Sequence, residues 1–290
     1  METTELLKKV RKIEIKTRGL SNQIFSGEYH SAFKGRGMAF SEVREYLPGD
    51  DIRAIDWNVT ARLNHPYVKV FEEERELTVI LLVDVSGSGN FGTRTSFKRE
   101  MITEICAVLA FSAIKNNDKI GVIFFSDKIE KFIPPKKGKS HILRIIRDLI
   151  EFEPEHKATD ITQALRYLTN VIKKRSIAFL ISDLMDNNFK DALKLASKKH
   201  DFVTLRIFDK GEYVLPNIGL ARFKDTETDI EKWIDTSDSQ TRKQFELNAK
   251  KREGAVFEVL KKTGIDYANI GTHESYIQPL TNLFKRRNSK

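Results

Sequence analysis

The chain has 290 residues, 40% hydrophobic and 31% charged, with 50 Lys and Arg against 41 Asp and Glu for a formal net charge of +9. That length suits one large domain with an accessory element, or two modest ones, and it allows a core of good size. A single cysteine excludes an internal disulfide framework, and Cys106 sits in MITEICAVLAF, where a buried hydrophobe is expected rather than a nucleophile. No apolar run approaches the roughly 20 residues that cross a bilayer. The N-terminus METTELLKKVRKIE has no signal-peptide stretch, so a cytoplasmic location is expected. The basic excess permits nucleic acid, anionic lipid or acidic protein as partner without choosing. Its clusters, Lys136-Lys137, Lys250-Lys251-Arg252 and Lys285-Arg286-Arg287, lie among acidic residues without interleaved aromatics, so solvated surface is expected and nucleic-acid binding is not.

In chain order, residues 5 to 18 carry Leu6, Val10 and Ile13 at helical spacing. Gly27 to Gly37 is a loop by composition. In the dense stretch from Gly35 to Glu76, Pro48-Gly49 marks a turn, and Asp50 or Asp51 is placed to cap a short helix through Ile52, Ile55 and Asp56. Tyr67 to Phe71 alternates as a strand. Leu77 to Gly89, LTVILLVDVSGSG, is an apolar run of strand length that stops at an aspartate, two serines and glycines. Apolar on both faces, it belongs in the middle of a parallel sheet.

Helices are expected over Phe97 to Asn116, His141 to Ile150, from Asp160 through Leu165, Leu168 and Ile172, Phe189 to Lys199, Ser239 to Lys262 and near Ile277 to Phe284. Asp160 with Gln163 is close to a capping box. Strands are expected at Lys119 to Ser126, Lys131 to Pro134 (a short edge strand stopped by Pro134-Pro135), Ser176 to Ser182, Phe202 to Phe208, Leu220 to Phe223, Lys232 to Asp235 and Asp266 to Ile270, with a turn at Thr226 to Asp229. Strand and helix alternate across 77 to 208, which predicts an α/β fold: a doubly wound, mostly parallel sheet flanked by helices, behind an N-terminal accessory segment of 1–76.

Asp84, Ser86 and Ser88 leave the first core strand at its carboxyl edge, where open α/β sheets bind ligands. One carboxylate and two hydroxyls at i, i+2, i+4 suit a hard dication such as Mg²⁺, while a turn bonding its own backbone would use the same residues. Ser176 to Ser182 repeats the design and delivers Asp183 to the same edge, and Thr159 precedes a helix that opens there. D-x-S-x-S, then a threonine loop (Lys157-Ala158-Thr159-Asp160, with alanine where glycine is frequent), then an aspartate after the next core strand, resembles the von Willebrand factor A domain and its metal-ion-dependent adhesion site. Thr162 is the fallback for Thr159.

The preceding segment sharpens the likeness. Gly35-Arg36-Gly37, Arg44-Glu45-Tyr46, Pro48-Gly49-Asp50-Asp51, Arg53, Ile55-Asp56-Trp57, Ala61-Arg62 and Glu73-Glu74-Arg75-Glu76 resemble the signature of the bacterial domain of unknown function 58, DUF58. The charged residues of that string suit either a salt-bridged scaffold or a partner surface. The resemblance implies a non-enzymatic protein-interaction module and a MoxR-type AAA+ ATPase as partner. It also implies a metal site, for Mg²⁺ or for Mn²⁺ or Ca²⁺, at Asp84, Ser86, Ser88, Thr159 and Asp183. One position of the cation would stay open to a partner's carboxylate.

The enzyme alternative is a haloacid-dehalogenase-like phosphohydrolase using Asp84, which needs an acid two residues on and finds Ser86. Gly138-Lys139-Ser140 lacks the first P-loop glycine, since position 133 is Ile133. No H-E-x-x-H or G-x-S-x-G occurs.

Overall fold

The computed structural model describes residues 10–17, 19–21, 38–73, 77–90, 98–186, 188–225 and 230–288. The loop expected at 27–37, the turn at 226–229 and the first residues of the N-terminal helix lie outside them. Contacts divide the chain into a small unit, 34–77, and a large one that begins at Thr78 and takes in the described N-terminal helical residues 10–21. Those residues are tied to the large unit by Lys16 on Glu104 and by Glu14 on Lys139, both at 2.6 Å.

In the small unit, β1 (Met38–Glu45) pairs antiparallel with β2 (Tyr67–Glu73), with a bulge between Phe40 and Glu42. Where one short helix was expected there are two helical pieces. Asp51 caps a 3₁₀ turn at Ile52–Ala54, Ile55 then bridges Val68 in extended form, and Asp56 caps α1 (Trp57–Leu63) through the N–H groups of Asn58 and Val59. The break has a physical reason: the Asp56 N–H is drawn onto the Tyr67 carbonyl at 2.8 Å, which a continuous helix would not allow. Arg44 forks onto both oxygens of Asp50 at 2.7 Å and holds that carboxyl down at about 2. Arg44, Asp50, Asp51 and Asp56 therefore serve as internal scaffold. Leu47, Ile52, Trp57 and Leu63 are left exposed.

The large unit carries a six-stranded sheet in the order β10-β7-β6-β3-β4-β5. The strands are β3 (Thr78–Asp84), β4 (Lys119–Phe125), β5 (Ile129–Lys136), β6 (Ile177–Ser182), β7 (Asp201–Phe208) and β10 (Asp266–Gly271). All pairings are parallel except that of β4 with the edge strand β5. Residues 79–84 of β3 are all buried, as its apolar run requires.

Pro134-Pro135 does not end β5, which runs on to Lys136. An edge strand tolerates proline because one side has no ladder to break. A Cβ at Gly121 opposite would lie 2.8 Å from the Ile133 carbonyl oxygen and 2.9 Å from the Pro135 nitrogen, so glycine is what admits this edge.

Six helices follow: α2 (Lys98–Lys115), α3 (Lys139–Glu151), α4 (Ile161–Val171), α5 (Lys190–Lys199), α6 (Ser239–Thr263) and α7 (Ile277–Asn288). Ile80, Leu82, Ala178 and Leu180 form one core with Leu165 and Leu168 of α4, Leu193 of α5 and Leu260 of α6. Strand alternation turns Phe124 and Phe179 to the opposite face. There Phe124 stacks on Phe152 just past α3, and Phe179 meets Phe284 of α7 edge-on. The fold class is thus α/β with helices on both faces of a mostly parallel sheet. β8 (Leu220–Lys224) and β9 (Glu231–Asp235) form a separate antiparallel hairpin. Among the described residues no helix is long and apolar enough to cross a membrane.

His200, between α5 and β7, is buried; its Nδ1 shares a 2.9 Å hydrogen bond with the Ser176 hydroxyl, and its Nε2 meets no partner among the described residues. Burial, with Lys199 and Arg175 adding, depresses its pKa to about 4. A folded pKa below the unfolded value near 6.5 gives stability that is present above pH 6.5 and lost as pH falls through 4, about 1–2 kcal/mol after allowance for screening. Urea midpoints measured between those limits are expected to fall less steeply in His200→Asn than in the wild type. Parallel slopes would contradict this reading.

Candidate metal site at the carboxyl edge of the sheet

The chain leaves β3 to lay β4 on one side and returns to lay β6 on the other, so the carboxyl ends of β3 and β6 flank the point where the order reverses. Asp84 ends β3 and Asp183 follows β6, each nine-tenths or more buried. Asp84 Oδ1 accepts the Ser86 N–H at 3.0 Å and Oδ2 accepts the Ser182 hydroxyl at 2.6 Å. The Ser86 and Ser88 hydroxyls lie 3.1 Å apart.

The threonine loop is sewn to this edge at two points. Gly87 N–H donates to the Lys157 carbonyl at 2.8 Å, and Asp160 N–H donates to the Ser126 carbonyl, at the end of β4, at 2.9 Å. Thr159 lies between those stitches. Thr162 does not replace it, since its hydroxyl donates to the Asn188 carbonyl at 3.3 Å. Asp160 caps α4 through the Gln163 N–H as expected, while Asp186 takes the Ile161 N–H at 2.9 Å. Three loops from distant parts of the chain are therefore laced into one wall.

Three participants were not anticipated. Ser182 lies one residue beyond the parallel pair Val83↔Ile181, which sets it beside Asp84; strand register alone would have found it. Its oxygen also receives the Leu184 N–H at 3.0 Å, and Leu184, buried with φ at +63°, turns the chain sharply after Asp183.

The other two are Lys98, the first residue of α2, and Glu212, in a 3₁₀ turn after β7. The Lys98 ammonium is 2.8 Å from Asp183 Oδ2 and in contact with Glu212, with all three side chains nearly sequestered. Burial pulls the lysine's pKa down, but Asp183 and Glu212 outweigh it and raise it to about 12. Burial likewise opposes ionisation of Asp183, and Lys98 outweighs it and holds that carboxyl below its usual range. Asp84 has no such cation. Burial, with the charge of Asp183 adding, pushes it up to about 6.

Formal charge tests whether a dication fits. Three carboxylates (Asp84, Asp183, Glu212) against one ammonium (Lys98) leave minus two in a buried pocket, which one divalent ion offsets. The donors are all hard oxygens, as Mg²⁺ requires. Each aspartate oxygen already receives a hydrogen bond, Asp183 from Met185 N–H and Lys98, so both acids suit contact through water as well as direct contact. Among the described residues no three or more His, Cys, Asp or Glu side chains cluster to share an ion. Any cation here would lean on Ser86, Ser88 and Thr159.

The topology is that of a von Willebrand factor A-like α/β fold. The chain belongs to the family described as protein of unknown function DUF58, whose model matches residues 42–255. It is similar to the uncharacterized protein Mb1516 of Mycobacterium bovis, 24% identical over 99% of this chain and 91% of that protein. Among solved structures it resembles an aerotolerance-related membrane protein from Bacteroides fragilis (15% identity, TM-score 0.51, 72% of this chain and 99% of that one). It also matches BatB from Bacteroides thetaiotaomicron (16%, TM-score 0.49, 74% and 100%).

Proposed function

We propose that this chain is a non-enzymatic, cytoplasmic protein-interaction module that depends on a divalent cation held by Asp84, Ser86, Ser88, Thr159 and Asp183. The observation that carries the reading is the convergence of three laced loops on two buried carboxylates and a hydroxyl pair, with a residual formal charge of minus two. When bound, Mg²⁺, or Mn²⁺ or Ca²⁺ in its place, supplies positive charge that attracts a carboxylate of a partner. The chain's own part is to orient the hydroxyls and, through Lys98, to keep Asp183 ionised. The likeness of the Arg44 to Trp57 string to the DUF58 signature supports a MoxR-type AAA+ ATPase as that partner. In a pull-down of such an ATPase on the full chain, Mg²⁺ is expected to give capture that EDTA or Ser86→Ala removes. Equal capture in all three conditions would overturn the reading.

The phosphohydrolase alternative gains no support from the edge. A nucleophilic carboxylate must be accessible and ionised, whereas Asp84 is 6% exposed and has both oxygens engaged.

A further inference from the structure

A groove of about 730 Å³ starts at Ser88, Lys98 and Asp183 and runs away from the sheet edge between the β8–β9 hairpin and α6. Its far walls are apolar: Phe223 and Ile234 from the hairpin, and Phe245, Val256 and Val259 from α6. All but Val256 are only half-buried, although each is a side chain that a closed core would cover. Along the same helix Lys250 is paired with Glu246, and Lys262 with Glu258, each in an i,i+4 ion pair. Lys251 and Arg252, which line the groove, have no ion pair among the described residues.

We infer that this groove receives an amphipathic acidic segment of a partner protein, its apolar side chains against Phe223, Ile234 and Phe245 and its acidic residues toward Lys251 and Arg252. The inference rests on the proposed function, because a further carboxylate of the same segment would serve the Ser88–Asp183 end. Charge selects this occupant. Of the acids lining the groove, Asp183 and Glu212 hold Lys98, Asp186 takes the Ile161 N–H, and Asp225, like Lys224, is itself engaged. A basic segment would therefore meet Lys251 and Arg252 without an answering acid, and a neutral apolar one would leave both cations unpaired. The mode is that of an amphipathic segment laid in an apolar groove, with affinity from the buried side chains and orientation from the charges at its ends.

The test is to pan a displayed random-peptide library on the full chain in Mg²⁺ and measure binding of a fluorescent synthetic copy of the leading peptide. Enriched sequences are expected to join acidic with large apolar residues. Ala255→Trp fills the groove with bulk and no charge from an exposed helical position, without removing any packing. It and the Lys251→Glu, Arg252→Glu double variant should each weaken binding at least about tenfold, the scale of one lost interface anchor. Binding that EDTA or Ser86→Ala abolishes while both groove variants leave it intact overturns the groove and spares the metal reading. Binding lost in the groove variants but indifferent to EDTA sustains the groove and overturns the metal reading. Enrichment of basic peptides, failure to enrich any sequence, or a groove that proves to serve self-association or anionic vesicles also overturns the inference.

Discussion

Lys98→Met is expected to cost about 3–5 kcal/mol of folding stability in EDTA-treated protein, among the largest single effects in the chain. Methionine keeps most of the packing, so the loss is electrostatic. It strands Asp183 and Glu212, whose side chains are 2% and 10% exposed, without the ammonium between them. Burial already pushes the Glu212 carboxyl above its ordinary range against the pull of Lys98, so with the lysine gone it has little reason to ionise. A second substitution, Glu212→Gln, should return part of the loss, since it removes one of the two orphaned charges; the double-mutant cycle then shows coupling well above additivity. Urea unfolding of the four proteins measures this. A Lys98→Met penalty under about 1 kcal/mol would mean that water reaches the triad.

The second large effect is expected at Arg206, the bulkiest fully buried side chain. Its guanidinium donates to Glu253 at 3.0 Å, to Asn269 at 2.9 Å, to the Tyr213 hydroxyl and to the Asp183 carbonyl at 3.3 Å. The rings of Phe208 and Phe257 lie 5.3 and 5.6 Å from its centre. The residue thus ties α6, through Glu253, to the sheet and to the backbone of the candidate site. Arg206→Met should cost about 3 kcal/mol, because the aliphatic volume is kept but four acceptors lose a donor. Since α6 walls the groove, the same substitution should also raise hydrogen exchange in residues 245–259. Protection there equal to wild type would show that the helix is held by its apolar face alone.

The Lys98–Glu212 pair also marks where the sequence stopped speaking. Period and length made β3, β4 and β6 legible, because a strand buried on both faces must be apolar nearly throughout, and β7 was legible from its remaining apolar residues despite the buried Thr204 and Arg206. Asp84 and Asp183 stood out as the acids that end two such runs. Lys98 reads as one more charge at the start of a helix, and Glu212 as one in a polar turn. Their pairing across 114 positions is a property of packing, with no periodicity to betray it. Ser182 was within reach, being fixed by register against β3. β1 escaped because MAFSEVRE alternates poorly around its bulge, and α1 because WNVTARL lacks an apolar stripe; only the cap at Asp56 signalled it. Pro134-Pro135 misled only about where the edge strand ends, because an edge strand can carry proline on its unpaired side and β5 runs on to Lys136.

Metal-dependent thermal unfolding of the full chain tests the central claim most directly. In wild type, Mg²⁺ at about a hundred times its dissociation constant should add about 2.7 kcal/mol of stability, with the midpoint rising with concentration. Ser86→Ala, which removes a hydroxyl and leaves every backbone bond, should abolish that rise. An equal rise in the variant, or none in the wild type with Mg²⁺, Mn²⁺ or Ca²⁺, would contradict the account.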